Sequence, residues 1–175
     1  MIAADEAKPR PTHVLIRGEY DKPGELVEPA APSSIMTFSP DLPKNRSGLA
    51  RWITDPKNPL AARVAVNRYW QMIFGNGIVK TSEDLGTQGR RPTHQSLLDY
   101  LAIDFIESGW DVKRLIRKIV TSATYRQSSK LTRDIVEMDP ENELLSHAPR
   151  RRLGAEFIRD HALSVSGLLV NKIGG

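Results

Sequence analysis

Three polar side chains recur one helical turn apart in the stretch NPLAARVAVNRYWQMIFGNGIVKTSEDLGTQG, residues 58–89: Arg63, Asn67 and Gln71. On a helix these positions fall on one line, and Leu60, Val64, Trp70 and Phe74 flank it. A polar line in apolar surroundings needs partners, because each buried group left unpaired costs about 1–3 kcal/mol. A ligand can supply them, or another part of the chain can. The best-matched internal partners lie in RRRLGAEFIRD, residues 150–160, where Glu156 and Asp160 stand one turn apart. Like charges at that spacing repel unless a cation sits between them, and Arg152 or Arg63 would serve. A guanidinium binds a carboxylate through two parallel hydrogen bonds, which fixes angle as well as distance. Two chemistries therefore compete for Arg63, Asn67, Arg68, Trp70, Gln71, Glu156, Arg159 and Asp160. One is a ligand groove or an acid–base carboxylate pair, which needs a cleft and divided pKa values. The other is an ion-pair seam that locks two helices together. We read the seam first: Arg63 and Asn67 are expected to be satisfied within the chain, with Glu156 or Asp160 supplying a carboxylate.

Other catalytic patterns are missing. The histidines at 13, 94, 147 and 161 have no metal-ligand spacing. His161 lies on an apolar arc and reads as a hydrogen-bonded core residue. Gly75-Asn76-Gly77 does not extend to a phosphate-binding loop, so it reads as a helix stop. No GxSxG elbow exists, and the serines between Ser122 and Ser129 have no adjacent histidine. Glu83 and Asp84 follow Thr81, which suits the N-terminal end of a turn or helix better than a hard-cation site. These two acids, with Tyr125, Arg126 and Gln127, remain weaker site candidates.

Helices must position these residues. Ser47 to Thr54 reads as a short helix stopped at Asp55-Pro56, and Pro59 suits the first turn of a helix running to Phe74. Gln95 to Ser108 places Leu97, Leu98, Leu101, Ala102, Phe105 and Ile106 on one face, with Thr93 as N-cap and Gly109 as stop. Asp111 caps the next helix, whose stripe is Val112, Leu115, Ile116, Ile119, Val120 and Ala123. Its other face carries Lys113, Arg114, Arg117 and Lys118, read as a solvated surface. A last helix over Leu153–Val170 puts Phe157, Ile158, Ala162, Val165, Leu168 and Leu169 on one arc, opposite Glu156, Arg159 and Asp160.

Before residue 44 the composition changes. Seven of the twelve prolines lie in residues 1–43, so that segment is not a run of helices. Thr12 to Arg17 reads as a strand, followed by a turn over residues 18–24. The expected fold is mainly α. It is a compact multi-helix domain of about five to six helices, with an extended proline-rich N-terminal arm carrying one or two short strands. The arm, 1–43, is expected to pack on the body; residues 44–175 form the helical domain, expected to be truncated at its C-terminus.

Composition bounds the function. The 175 residues are 39% apolar and 26% charged, an ordinary globular balance. A net charge of +4 permits an acidic partner without requiring one. The absence of cysteine excludes disulfides, thiolate metal sites and a thioether-attached haem within this chain. No apolar run approaches the roughly 18 residues of a spanning helix.

Four stretches together resemble one family: PRPTHVLIRGEYDKPGELVEPAAP, SGLARWITDPKNPLAARVAVNRYWQMIFGNGIVKTSEDLGTQG, SLLDYLAIDFIESGWDVKRLIRKIVTSATYRQSS and RRRLGAEFIRDHALSVSGLL. It is the planctomycete-specific C-terminal domain of unknown function. Ser82 and Leu85 depart from its pattern, which usually has proline and phenylalanine there. The resemblance implies a large multidomain protein with an upstream planctomycete-type cytochrome c domain, and a secreted, periplasmic or cell-envelope location. Any haem would sit in that upstream domain, with no cofactor in this chain. The resemblance carries over no catalytic residue. It does cover Asn67, Arg68 and Trp70, then Tyr125, Arg126 and Gln127, then Leu153, Ala155, Glu156, Arg159 and Asp160. The chain reads as an internal fragment, which accounts for the lack of a secretory signal in MIAADEAKPR.

Three functions fit this reading. The first is a non-catalytic accessory module that docks other domains of the same polypeptide. The second is a polysaccharide site, with Trp70 or Tyr125 stacking on a sugar and Arg63 and Asn67 bonding its hydroxyls. The third is nonspecific nucleic-acid binding by the basic helix face, disfavoured because no aromatic interleaves Lys113 to Lys118. The exposure of Trp70 separates the first two. No reaction is assigned, and the balance leans away from an enzyme.

Overall fold

The computed structural model describes residues 10–150, 152–170 and 172. Its first elements are two short strands, β1 (Thr12–Leu15) and β2 (Pro23–Val27), paired antiparallel with Thr12 opposite Val27 and His13 opposite Leu26. Pro23 opens β2, a position where the missing N–H does least harm to the ladder. A 3-10 turn over Ile16–Gly18 makes the reversal that the sequence placed slightly later. The hairpin closes on itself, and His13 Nδ1 lies 2.9 Å from the Gly24 carbonyl. Its apolar side chains stay outside: Val14, Ile16 and Leu26 are each more than half exposed. Leu15 is exposed as well, at 41%. A ladder that satisfies its own backbone does not need the helices to do so.

The second half of the arm approaches Trp52 and Gly48. The indole of Trp52 donates to the Met36 carbonyl at 3.0 Å. At Gly48 a Cβ would stand 1.8 Å from the Pro43 carbonyl oxygen, so only glycine lets the arm come this close.

Seven α-helices follow among the described residues, more than the five to six expected: α1 (Arg46–Ile53), α2 (Ala61–Phe74), α3 (Gln95–Glu107), α4 (Val112–Val120), α5 (Ala123–Arg126), α6 (Arg133–Met138) and α7 (Ala155–Val165). The excess comes from α5 and α6, single turns started by side-chain caps from Ser122 and Thr132 rather than by an apolar period. Asn45 and Asp111 cap α1 and α4, accepting from Gly48 N and Arg114 N at 3.0 Å. Thr93 does not cap α3. The cap position is His94, and Thr93 turns instead to the Ile78 carbonyl, through its N–H at 2.9 Å and its hydroxyl at 3.2 Å. Gly75 and Gly109, with φ of 91° and 71°, end α2 and α3 in backbone that other residues adopt at a cost.

The fold is mainly α, with one two-stranded sheet among the described residues. Its core joins Val66, Trp70 and Phe74 of α2 to Leu98, Leu101 and Phe105 of α3 and to Leu115 and Ile119 of α4, with Ile78 and Val79 closing one end. α7 stands apart from this core in its exposure: only Leu163 is even half-buried. It is also shorter than the Leu153–Val170 expected, because Gly167 at φ 74° turns the chain and Leu168 N–H bonds back to the Leu163 carbonyl at 2.8 Å.

Candidate functional site

α2 runs through the middle of the core, with Arg68 and Met72 facing solvent. The polar line divides into three different environments. Asn67 is fully buried and fully bonded. Its Oδ1 accepts from Val79 N–H at 2.8 Å, and its Nδ2 donates to the Val79 carbonyl at 2.9 Å and to Ser82 Oγ at 3.1 Å. The side chain thus pairs with one residue's backbone as a neighbouring strand would, and it pins residues 77–82 to α2. Gly77 permits this approach: a Cβ there would lie 2.7 Å from Asn67 Nδ2 and 2.5 Å from the Val79 carbonyl. Ser82 supplies the third bond.

Arg63 corrects the seam. Its carboxylate is Asp99 of α3, with Nε at 2.6 Å from Oδ1, and neither Glu156 nor Asp160 is its partner. Its Nη1 also donates to the Pro59 carbonyl. Gln95 Nε2 shares the same Asp99 oxygen at 2.9 Å. The Gln95 hydrogen bond, then that of Arg63, hold the Asp99 carboxyl below its usual pKa. Asp99 lies on the polar side of α3, where the fold brings it beside the start of α2. Glu156, Arg159 and Asp160 are exposed on α7, and Arg159 pairs with its own neighbour Asp160 at 3.3 Å. Gln71, third on the line, is half-buried, and its side chain makes no hydrogen bond among the described residues.

Trp70 is 5% exposed and stacks on Phe74, with centroids 4.2 Å apart and planes at 18°. Tyr125 meets the edge of Phe74 at 6.0 Å. Gln127 donates to the Leu145 carbonyl at 2.8 Å, whereas Arg126 points to solvent. Asp84 forms a turn, accepting from Gly86 N–H at 2.7 Å while its carbonyl accepts from Thr81 Oγ1 at 2.8 Å; Glu83 is exposed. On the basic face Asp104 takes Lys118 at 2.6 Å and Arg114 at 3.2 Å, and Lys118 also caps the Tyr100 ring at 4.8 Å. Lys118 is the main reason that the Asp104 carboxyl titrates low.

Sequence reasoning passed over two well-built polar groups. Asp139 is 5% exposed, and its carboxylate gathers the N–H groups of Glu143, Leu144 and Ser146 at 2.7, 3.1 and 3.4 Å. The Asp-Pro pair at 139–140 was the available signal, since it favours turn initiation. The loop so formed is tied to the other end of the core by Lys80, which pairs with Glu141 and with Glu143. Between them lies a cavity of about 30 Å³ beside Trp70 and Phe74, room for one water and not for a sugar. The second group is a cleft of about 150 Å³ beside Arg63, which Arg90 and Gln95 also line. Among the described residues no three His, Asp or Glu side chains gather as a metal site would require.

The family model described as PSD1, a protein of unknown function (DUF1553), matches residues 45–175. That match begins where the arm gives way to α1. No curated protein and no solved structure matches the chain.

Proposed function

The chain belongs to the PSD1 family of proteins of unknown function, and from that premise we propose that it is a helical accessory module that docks another domain of its own polypeptide through α7. One observation carries the reading. Phe157, Ile158 and Val165 are 70%, 55% and 76% exposed along one arc of α7. A run of large exposed apolar groups on a regular helix marks an interface. The flanking Glu156, Arg159 and Asp160 nearly cancel in charge, which suits a protein surface better than an anionic polymer. The resemblance to planctomycete multidomain proteins supplies the occupant, a neighbouring domain. It also supplies the setting: a secreted, periplasmic or envelope protein whose haem belongs to the upstream cytochrome c domain.

The rival readings lose their footing on burial and pairing. A sugar platform needs an open ring; Trp70 and Asn67 both lie inside the core, and Tyr125, 39% exposed, packs its ring against Phe74. On the basic face Asp104 engages Arg114 and Lys118, which leaves Lys113 and Arg117 without an ion pair among the described residues and with no aromatic side chain between them for a base to stack on.

Amide hydrogen exchange tests the docking. Residues 155–165 are expected to exchange at least tenfold more slowly in the full-length polypeptide than in this chain, a protection that Phe157→Asp abolishes. Equal exchange in both forms would overturn it.

A further inference from the structure

We propose that the cleft beside Arg63 binds a small carboxylate carrying an apolar body. The cleft lies between the start of α2, the start of α3 and the loop before α3, and it is lined by Arg63, Arg90 and Gln95 with Leu60, Val79 and Leu98 among its walls. Two guanidiniums thus reach one concavity. Asp99 bonds Arg63 through Nε, and the Pro59 carbonyl takes one donor of Nη1. A guanidinium has five N–H donors in a planar fork, so three remain on Arg63. The Arg90 side chain makes no hydrogen bond or salt bridge among the described residues; only its backbone N–H is used, by Thr81 Oγ1 at 2.9 Å.

The charge count selects the ligand. The cleft lining carries two cations: Asp99 pairs with Arg63, while Arg90 feels the charge of Glu141 but has no salt bridge of its own among the described residues. A monoanion matches the Arg90 charge, and a carboxylate matches the fork through two parallel hydrogen bonds. The apolar walls then favour a ligand with a hydrocarbon body over a dianion such as phosphate. A volume of about 150 Å³ equals about five waters at ~30 Å³ each, enough for a carboxylate with a small ring or short chain. This inference concerns α2 and α3 and stands apart from docking by α7.

Calorimetric titration of the chain with benzoate, acetate and inorganic phosphate tests it. Benzoate is expected to bind saturably, acetate about tenfold more weakly, and phosphate without saturation. Arg90→Gln is expected to lower benzoate affinity about tenfold and to leave the melting temperature unchanged, since Arg90 is exposed and its side chain has no partner to lose. Arg63→Gln should lower it as well, though it also breaks the Asp99 pair, so Arg90→Gln is the decisive variant. Phe157→Asp should leave benzoate binding as it is. Absence of saturable benzoate binding, unchanged affinity in Arg90→Gln, or phosphate binding tighter than benzoate would each overturn the proposal.

Discussion

α3 and α7 are written in the same pattern and meet opposite fates. Both are amphipathic, with apolar residues recurring every three or four positions. In α3 that stripe disappears into the core, with Leu98 at 1% and Phe105 at 2% exposure. In α7 it stays in solvent, with Phe157 at 70%. What differs is the opposing surface. α3 lies against α2, whose Val66, Trp70 and Phe74 are large and apolar. α7 has no such wall among the described residues, so its period records an intention to be buried without naming the partner. The α3 stripe contributes to folding of this chain; the α7 stripe stays exposed.

Truncation gives the largest separation between the two. Leu98→Ala is expected to destabilise by about 2–5 kcal/mol, because it loses transfer energy and leaves a cavity that α2 and α4 cannot fill. Chemical denaturation followed by far-UV circular dichroism would measure it. A loss below about 1 kcal/mol would place α3 with α7 rather than with the core.

Asn67→Ala probes the polar part of the same core. It strands the Val79 N–H away from water, at about 1–3 kcal/mol for a group left unpaired, and leaves the Val79 carbonyl only the longer bond from Ser82 Oγ at 3.4 Å. The expected loss is about 1–3 kcal/mol, with faster amide exchange at Val79 as its local signature. An unchanged exchange rate at Val79 would mean that another group has replaced the asparagine.

The Arg63–Asp99 pair should matter far less, because both side chains are about one-third exposed, at 33% and 34%. Asp99→Asn is expected to cost about 0.2–1 kcal/mol at neutral pH. The folded-state pKa of Asp99 is lowered, so its stabilisation is present above the unfolded value near 3.9 and is lost as pH falls through the folded value. The difference in melting temperature between parent and Asp99→Asn should therefore shrink between about pH 5 and pH 3. A difference that grows on acidification would contradict the sign. The parent should stay acid-sensitive in either case, since Asp104 is lowered by Lys118 in the same way.

The smallest effect belongs to α7. Phe157→Ala in the isolated chain is expected to change stability by no more than about 0.5 kcal/mol, as for an ordinary surface position. A loss comparable with that of Leu98→Ala would show that α7 is part of the folding core in solution, and the contrast between the two helices would vanish.

Much of the local structure was legible because it depends on near neighbours. The periods of α3 and α4, the Asp111 cap and the stops at Gly75 and Gly109 each involve residues within one or two turns. The Thr93 cap was misread for a reason of the same kind: a threonine before a helix has two local uses, and here the Ile78 carbonyl fifteen positions away takes it. The polar seam was legible only as a need. That Asn67 must be satisfied followed from its apolar surroundings; that Val79 satisfies it did not, since every residue offers a backbone N–H and carbonyl.

The sequence by itself determined a mainly helical chain, to within a residue or two where α1, α2 and α3 begin and end, and that Asn67, set among apolar neighbours on α2, would demand partners. Those follow from torsional preference, capping and the 3.6-residue period, which act along the chain. Only the tertiary structure decided that Arg63 takes Asp99, thirty-six residues on, in place of Glu156 or Asp160. Only it decided that Trp70 is core rather than platform, and that the apolar arc of α7 is left outside. Charge and hydrophobicity fix what a side chain requires, but several carboxylates and several apolar faces meet each requirement equally. Which of them lies within reach depends on how the helices pack, and that distance is not written in any local stretch of residues.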